Sequence, residues 1–232
     1  MKKQIPSISQ VVLTIAVFGA VFVSEVIAGV LTADALLRNL ISLIIPLVFY
    51  AVYRLKTRNH TLRFSSLKIP RLTIWLCPLL FVLTNVIGKP LSGWPTLGVW
   101  TYAVTTCLFI GLMEEMMFRG VLFHVFNNSR FPIYLLVSSF GFGLLHFQQG
   151  IRGIVITAIV GLSYGLARIA GAPLTILILC HAATNLPQRL PHERLECYPV
   201  IAQIALCYTV FISMNYLMTP KHWSNKAMEA TS

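Results

Sequence analysis

Glu114 and Glu115 stand side by side in FIGLMEEMMFRGVLFHVF, residues 109–126, with Arg119 four residues beyond the second. The whole chain has only seven acidic residues, and two of them sit here, in an apolar run where ionised groups are costly. On a helix Glu115 and Arg119 share a face, in the favourable order with Glu first. Such an ion pair lowers the cost of burying both charges. Glu114 projects about 100° around the helix from Glu115, so it is less well placed to join that pair. Spacing thus divides the two: Glu115 is expected to be structural, Glu114 to be available for chemistry. The competing reading makes both of them glue between helices.

Two further stretches carry polar groups at helical spacing. In FGFGLLHF, Phe142 and His146 are i and i+4; in LILCHAATNLP, so are His181 and Asn185. Taken alone, each is more readily an interhelical hydrogen-bonding residue than a catalyst. Depth changes the weighting. A hairpin is expected to turn near Asn127–Arg130, with Glu114 16 residues before Arg130 and His146 16 after it. In an antiparallel pair both then lie about 20 Å from the turn. With a helix starting near Ala172, His181 and Asn185 lie about 15 and about 20 Å from the same end.

A carboxylate held out of water is a usable general base. A nearby imidazole can hold and polarise a water, and a second imidazole with an amide can donate to a developing oxyanion. Those are the parts for water attack on an amide. No serine elbow or HExxH is present, and no cysteine is positioned for a thiol mechanism. Glu114, His146 and His181 could alternatively ligate a metal. A non-catalytic membrane immunity or scaffold protein is the other reading; a small transporter, without paired broken helices, ranks last.

The elements that must position these groups are membrane helices. The chain is 56% hydrophobic and 11% charged, with mean hydropathy +0.76. Continuous apolar runs predict an all-α, polytopic membrane helical bundle and disfavour a β-barrel. About eight spans are expected: 11–31, 36–54, 72–88, 98–126, 131–147, 151–169, 172–187 and 198–218. Residues 1–232 read as one integral-membrane domain, with the motif-bearing core at 98–190 and a polar tail at 219–232. The first run is long for a cleaved signal peptide and is read as a span.

The net charge of +11 does not point to nucleic acid, because of where the charge lies. Arg54, Lys56, Arg58, Arg63, Lys68 and Arg71 crowd one loop, and Lys2, Lys3, Lys221 and Lys226 fall on the same side of an eight-span chain. The other side keeps Arg38, Lys89, Arg152, Arg189 and Arg194. This is the positive-inside pattern, with both termini cytoplasmic and contact with the lipid bilayer. His124 and Arg168, near span ends, are expected to snorkel. Glu25 is expected to snorkel or to pair with Arg38, and has no catalytic role. Cys77, Cys107, Cys180, Cys197 and Cys207 show no ligand-like spacing, so neither disulfides nor a zinc knuckle is expected.

Glu114-Glu115-x-x-x-Arg119, Phe142-x-x-x-His146 and His181-x-x-x-Asn185 together resemble the three ordered motifs of the CPBP (ABI) family. That family includes the type II CAAX prenyl endopeptidases, which are intramembrane glutamic proteases. The resemblance covers roughly residues 98–190. It implies Glu114 as the base that activates water, assisted by His146, with His181 and Asn185 as the oxyanion hole. It implies that Glu115 and Arg119 organise the site, that Phe142 packs beside it, and that no catalytic metal or other cofactor is needed. A membrane-associated peptide or protein is then the expected substrate, and a bacterial plasma (inner) membrane the expected location.

Overall fold

Helix α1 (Ile8–Leu31) carries apolar residues on both its buried and its exposed sides. Val17, Val21 and Ala28 are buried, while Ile8, Val12, Ile15 and Val30 point outward. A helix that is hydrophobic all round is stable in lipid rather than in water. The computed structural model describes residues 8–56, 79, 82–126, 131–169 and 172–193. Helix α2 (Ala35–Lys56) begins at Asp34, whose Oδ1 accepts from the Leu37 amide at 2.8 Å, a side-chain N-cap. A helical stretch at 82–88 (α3) follows. Thr96 caps α4 (Leu97–Glu115), which runs into a π-helical turn, Met116–Val121, and the short α5 (Leu122–Val125).

Helix α6 (Phe131–Leu145) gives way to a 3-10 turn, Phe147–Gln149. Gly150 then reverses the chain at φ 71°, a conformation that a side chain would strain. Helix α7 (Gly150–Ile169) leads to α8 (Leu174–Asn185) and a last 3-10 turn, Leu186–Gln188. The fold is all-helical, as expected; among the described residues the one extended pairing is an isolated bridge between Leu91 and His192.

Among the described residues three segments are long and apolar enough to cross a membrane: Ile8–Leu31, Leu97–Val125 and Phe147–Ile169. Leu40–Tyr53 and Pro132–Leu145 are shorter apolar helices. The expected span 198–218, most of 72–88, the Asn127–Arg130 turn and the Glu25 side chain lie outside the described residues. The expected span 172–187 is a helix of 12 residues, about 18 Å long against a hydrocarbon core of about 30 Å. Pro173 and Pro187 bracket it, and neither can continue a helix interior.

The expected hairpin of the fourth and fifth spans is not the main packing. Helix α6 lies chiefly on α7, and α4 on α8. The cause is close approach at glycine. A Cβ on Gly143 would sit 2.6 Å from the Ile154 carbonyl and 2.8 Å from Ala158 Cβ. A Cβ on Gly111 would sit 3.0 Å from the Ile178 carbonyl on α8. Without a hydrophobic drive between helices in lipid, backbone-to-backbone contact of this kind decides which helices pair.

Gly143→Ala is expected to force α6 from α7 and cost about 1–3 kcal/mol, read as a lower thermal midpoint in detergent. Gly120→Ala is the control, because its Cβ would meet no atom closer than 3.5 Å; it is expected to be neutral or stabilising. Equal midpoints for the two variants would contradict the close-packing account.

Candidate active site

The site is built around a buried guanidinium. Arg119 and Glu115 are both fully inaccessible, and Arg119 Nη1 donates to Glu115 Oε1 at 3.1 Å. The expected ion pair is therefore present, but the backbone between its members is not the regular α-helix expected. Glu115 ends α4, and Arg119 lies within the π-helical turn. There the Leu122 amide donates to the Met117 carbonyl, five residues back. Such a widened turn rotates the side chains beyond it and recurs at functional sites.

Two other helices, α6 and α7, complete the cage around Arg119. Its Nη2 donates to the Gly161 carbonyl of α7 at 3.0 Å. Its guanidinium carbon lies 4.7 Å from the centre of the Phe142 ring on α6, within cation–π range. Tyr164 and Phe118 flank it at 5.6 and 5.7 Å. Phe142, expected as packing beside the site, is thus a face for the charge. It also meets the rings of His146 at 5.0 Å and His181 at 5.9 Å.

His181, on α8, touches both glutamates. Nδ1 lies 2.9 Å from Glu115 Oε1, and Nε2 lies 3.4 Å from Glu114 Oε2. The first is a hydrogen bond; the second is at ion-pair distance only. Glu114 Oε2 is buried with no hydrogen-bond partner among the described residues. Spacing alone divided the two glutamates, and the division holds for Arg119, which pairs with Glu115. It does not hold for His181, which joins them.

Glu114, His146 and Asn185 line one cavity of about 770 Å³. The structure brings these three to one cavity wall, whereas His181 is not on that wall and meets it through Glu114. His146 was expected within a helix. It lies just past the end of α6, with φ −96° and ψ 21°. Its Nδ1 is 2.9 Å from the Phe142 carbonyl, which can only accept. Nδ1 therefore carries the hydrogen, and in the neutral ring Nε2 keeps the lone pair. Asn185 is the last residue of α8.

Arg168 corrects an expectation. It does not snorkel: it is buried, with Nε donating to the Arg119 carbonyl at 3.1 Å and Nη1 to the Ala172 carbonyl at 2.8 Å. Its guanidinium lies 4.9 Å from the Phe123 ring centre. Two backbone carbonyls, one in the π-helical turn and one at the start of the approach to α8, satisfy its donors inside the bundle. Its place among apolar residues was the signal, discounted because of its nearness to a span end. Gly161 was also missed. Its spacing from Gly165 is the small-x-x-x-small pattern of close helix contact, and both glycines pack on α6. His124 is half-buried, its ring 5.8 Å from that of Tyr53.

Cys107 and Cys180 carry free thiols; the other three cysteines lie outside the described residues. Among the described residues no three His, Cys, Asp or Glu side chains are grouped as metal ligands would be. Glu114, His146 and His181, weighed as ligands from their residue types, do not form such a group.

A family model described as type II CAAX prenyl endopeptidase Rce1-like matches residues 71–187. No curated protein and no solved structure matches the chain. The matched segment holds all three motifs and the whole of the cage around Arg119. With its apolar helices, this makes the protein an integral membrane protein, and the chain belongs to the Rce1-like family of type II CAAX prenyl endopeptidases.

Proposed function

We propose that this protein is an intramembrane glutamic endopeptidase that hydrolyses a peptide bond in a membrane-associated protein or peptide. The observation that carries this reading is the single cavity lined by Glu114, His146 and Asn185, with His181 3.4 Å from Glu114. The chain is read as one eight-span domain of a bacterial plasma membrane, with both termini cytoplasmic and its motif-bearing core at residues 98–190.

In this mechanism Glu114 takes a proton from water, and His146 Nε2 accepts the water's second hydrogen bond and orients it. The water oxygen bonds to the carbonyl carbon, and the carbonyl oxygen becomes an oxyanion. The Asn185 amide donates to that oxygen. His181 joins it through Nε2–H as Glu114 turns toward the water and their 3.4 Å contact opens. Serving both Glu115 and the oxyanion requires a hydrogen on each ring nitrogen of His181. The C–N bond then breaks, and Glu114 returns its proton to the leaving amine. Glu115 and Arg119 touch no reacting atom; they fix His181 and the end of α4.

Two variants separate chemistry from architecture. Glu114→Gln nearly preserves shape and removes the base, so cleavage of a membrane peptide substrate is expected to fall by about 10²–10⁴-fold. Its thermal midpoint in detergent should stay near that of the wild type. Unchanged cleavage overturns the assignment and favours a non-catalytic role. Arg119→Leu instead leaves Glu115 buried without its countercharge, which is expected to cost about 3–5 kcal/mol of stability. A midpoint matching wild type would show that Arg119 is not the residue that makes Glu115 tolerable.

A further inference from the structure

We infer that the cavity opens on the non-cytoplasmic face of the membrane, so that its substrate is a segment of an exported or translocated chain presented from that face. The substrate half of this rests on the peptidase reading above; the orientation does not. The lining residues gather at one end of the bundle. Gly29 lies in the last turn of α1 and Arg38 in the first turn of α2. Gln148 lies in the turn between α6 and α7, and Gln188 and Arg189 follow α8. A backbone strap closes the same end, where the Glu193 amide donates to the Pro90 carbonyl at 2.9 Å and the Ser92 amide to the Pro191 carbonyl at 3.2 Å.

The opposite end is equally well marked. Gln10 Nε2, in the first turn of α1, donates to the Val125 carbonyl at the end of α5, at 2.7 Å. Tyr53, in the last turn of α2, meets the His124 ring at 5.8 Å. Helix α2 spans 22 residues, about 33 Å, so its two ends stand a bilayer core apart. The six basic residues Arg54, Lys56, Arg58, Arg63, Lys68 and Arg71 begin where α2 leaves the bundle, at the end away from the cavity. A stretch with that excess of Lys and Arg within about 15–20 residues of a span end stays in the cytoplasm. The cavity end, with Arg38 at the start of α2, Arg152 at the start of α7, and Lys89 and Arg189 each standing apart, then faces out.

That geometry selects among substrates of a peptidase in this family. A lipidated C-terminus made and held in the cytoplasm meets the wrong end of the bundle. A segment already moved across the membrane, or anchored with its scissile bond at the outer level, meets the mouth directly. Trp94 and Leu97, both strongly exposed on the chain leading into α4, give that end an apolar rim for the lipid interface.

The test is labelling of the full chain in intact cells with a membrane-impermeant maleimide, against the wild-type chain as background. Gln188→Cys, on the cavity wall, is expected to react fully before permeabilisation; Ser65→Cys, among the basic residues that follow α2 in the sequence, only after it. Ser92→Cys, on the strap, decides the same question if the cavity thiol is too hindered to react in either state. The reverse pattern, or equal reaction of both ends in intact cells, overturns the inference. Because labelling needs no turnover, its failure is distinct from failure of the peptidase reading, which is unchanged cleavage by Glu114→Gln.

Discussion

Everything in this bundle is arranged around one expensive act, the burial of an ionised guanidinium and a carboxylate away from water. Each such ion costs several kcal/mol to desolvate, and a pair repays this only with good geometry and its remaining donors satisfied. Arg119 meets most of that condition by spreading its donors over Glu115 and the Gly161 carbonyl, and by laying its flat face on the Phe142 ring. A lysine has neither the fork nor the face. The consequence is architectural. A single side chain fixes the relative positions of α4, α6 and α7, and through Glu115 it fixes His181 on α8.

The two adjacent glutamates are therefore neither duplicates nor independent. Glu115 is spent on the cage, fully buried and held by both Arg119 and His181. Glu114 keeps an oxygen with no hydrogen-bond partner among the described residues and borders the cavity. His181 couples them, because one imidazole faces both carboxylates. A change at the caged carboxylate reaches the one on the cavity wall through a single ring. The π-helical turn contributes by placing Arg119 under Glu115 while its carbonyl accepts from Arg168. Two guanidiniums thus brace one turn of helix from different sides.

Helix pairing in lipid has no hydrophobic drive of its own, and here glycine supplies the selection. Gly143 brings α7 against α6, and Gly111 brings α8 against α4. With those contacts made, the ends of α1, α6 and α8 leave a cavity between them rather than a filled core. The same pairing explains why α8 can be short. It is bracketed by prolines and held on α4, so it need not span the bilayer to present Asn185 to the cavity.

The sequence by itself determined the membrane class, the all-helical fold, the Glu115–Arg119 pairing and the common neighbourhood of Glu114, His146 and Asn185. These follow from composition, from three i,i+4 spacings and from distances counted along a rigid helix, all of which are local. Only the tertiary structure decided what lies against each face. It turned Arg168 inward to carbonyls, gave His181 to both glutamates, set Phe142 under Arg119 and ended α6 just before His146. Periodicity tells which residues of one helix share a face, but not which other helix is pressed upon it. That choice rests on sub-ångström differences in how closely two backbones approach, and those depend on the whole bundle at once.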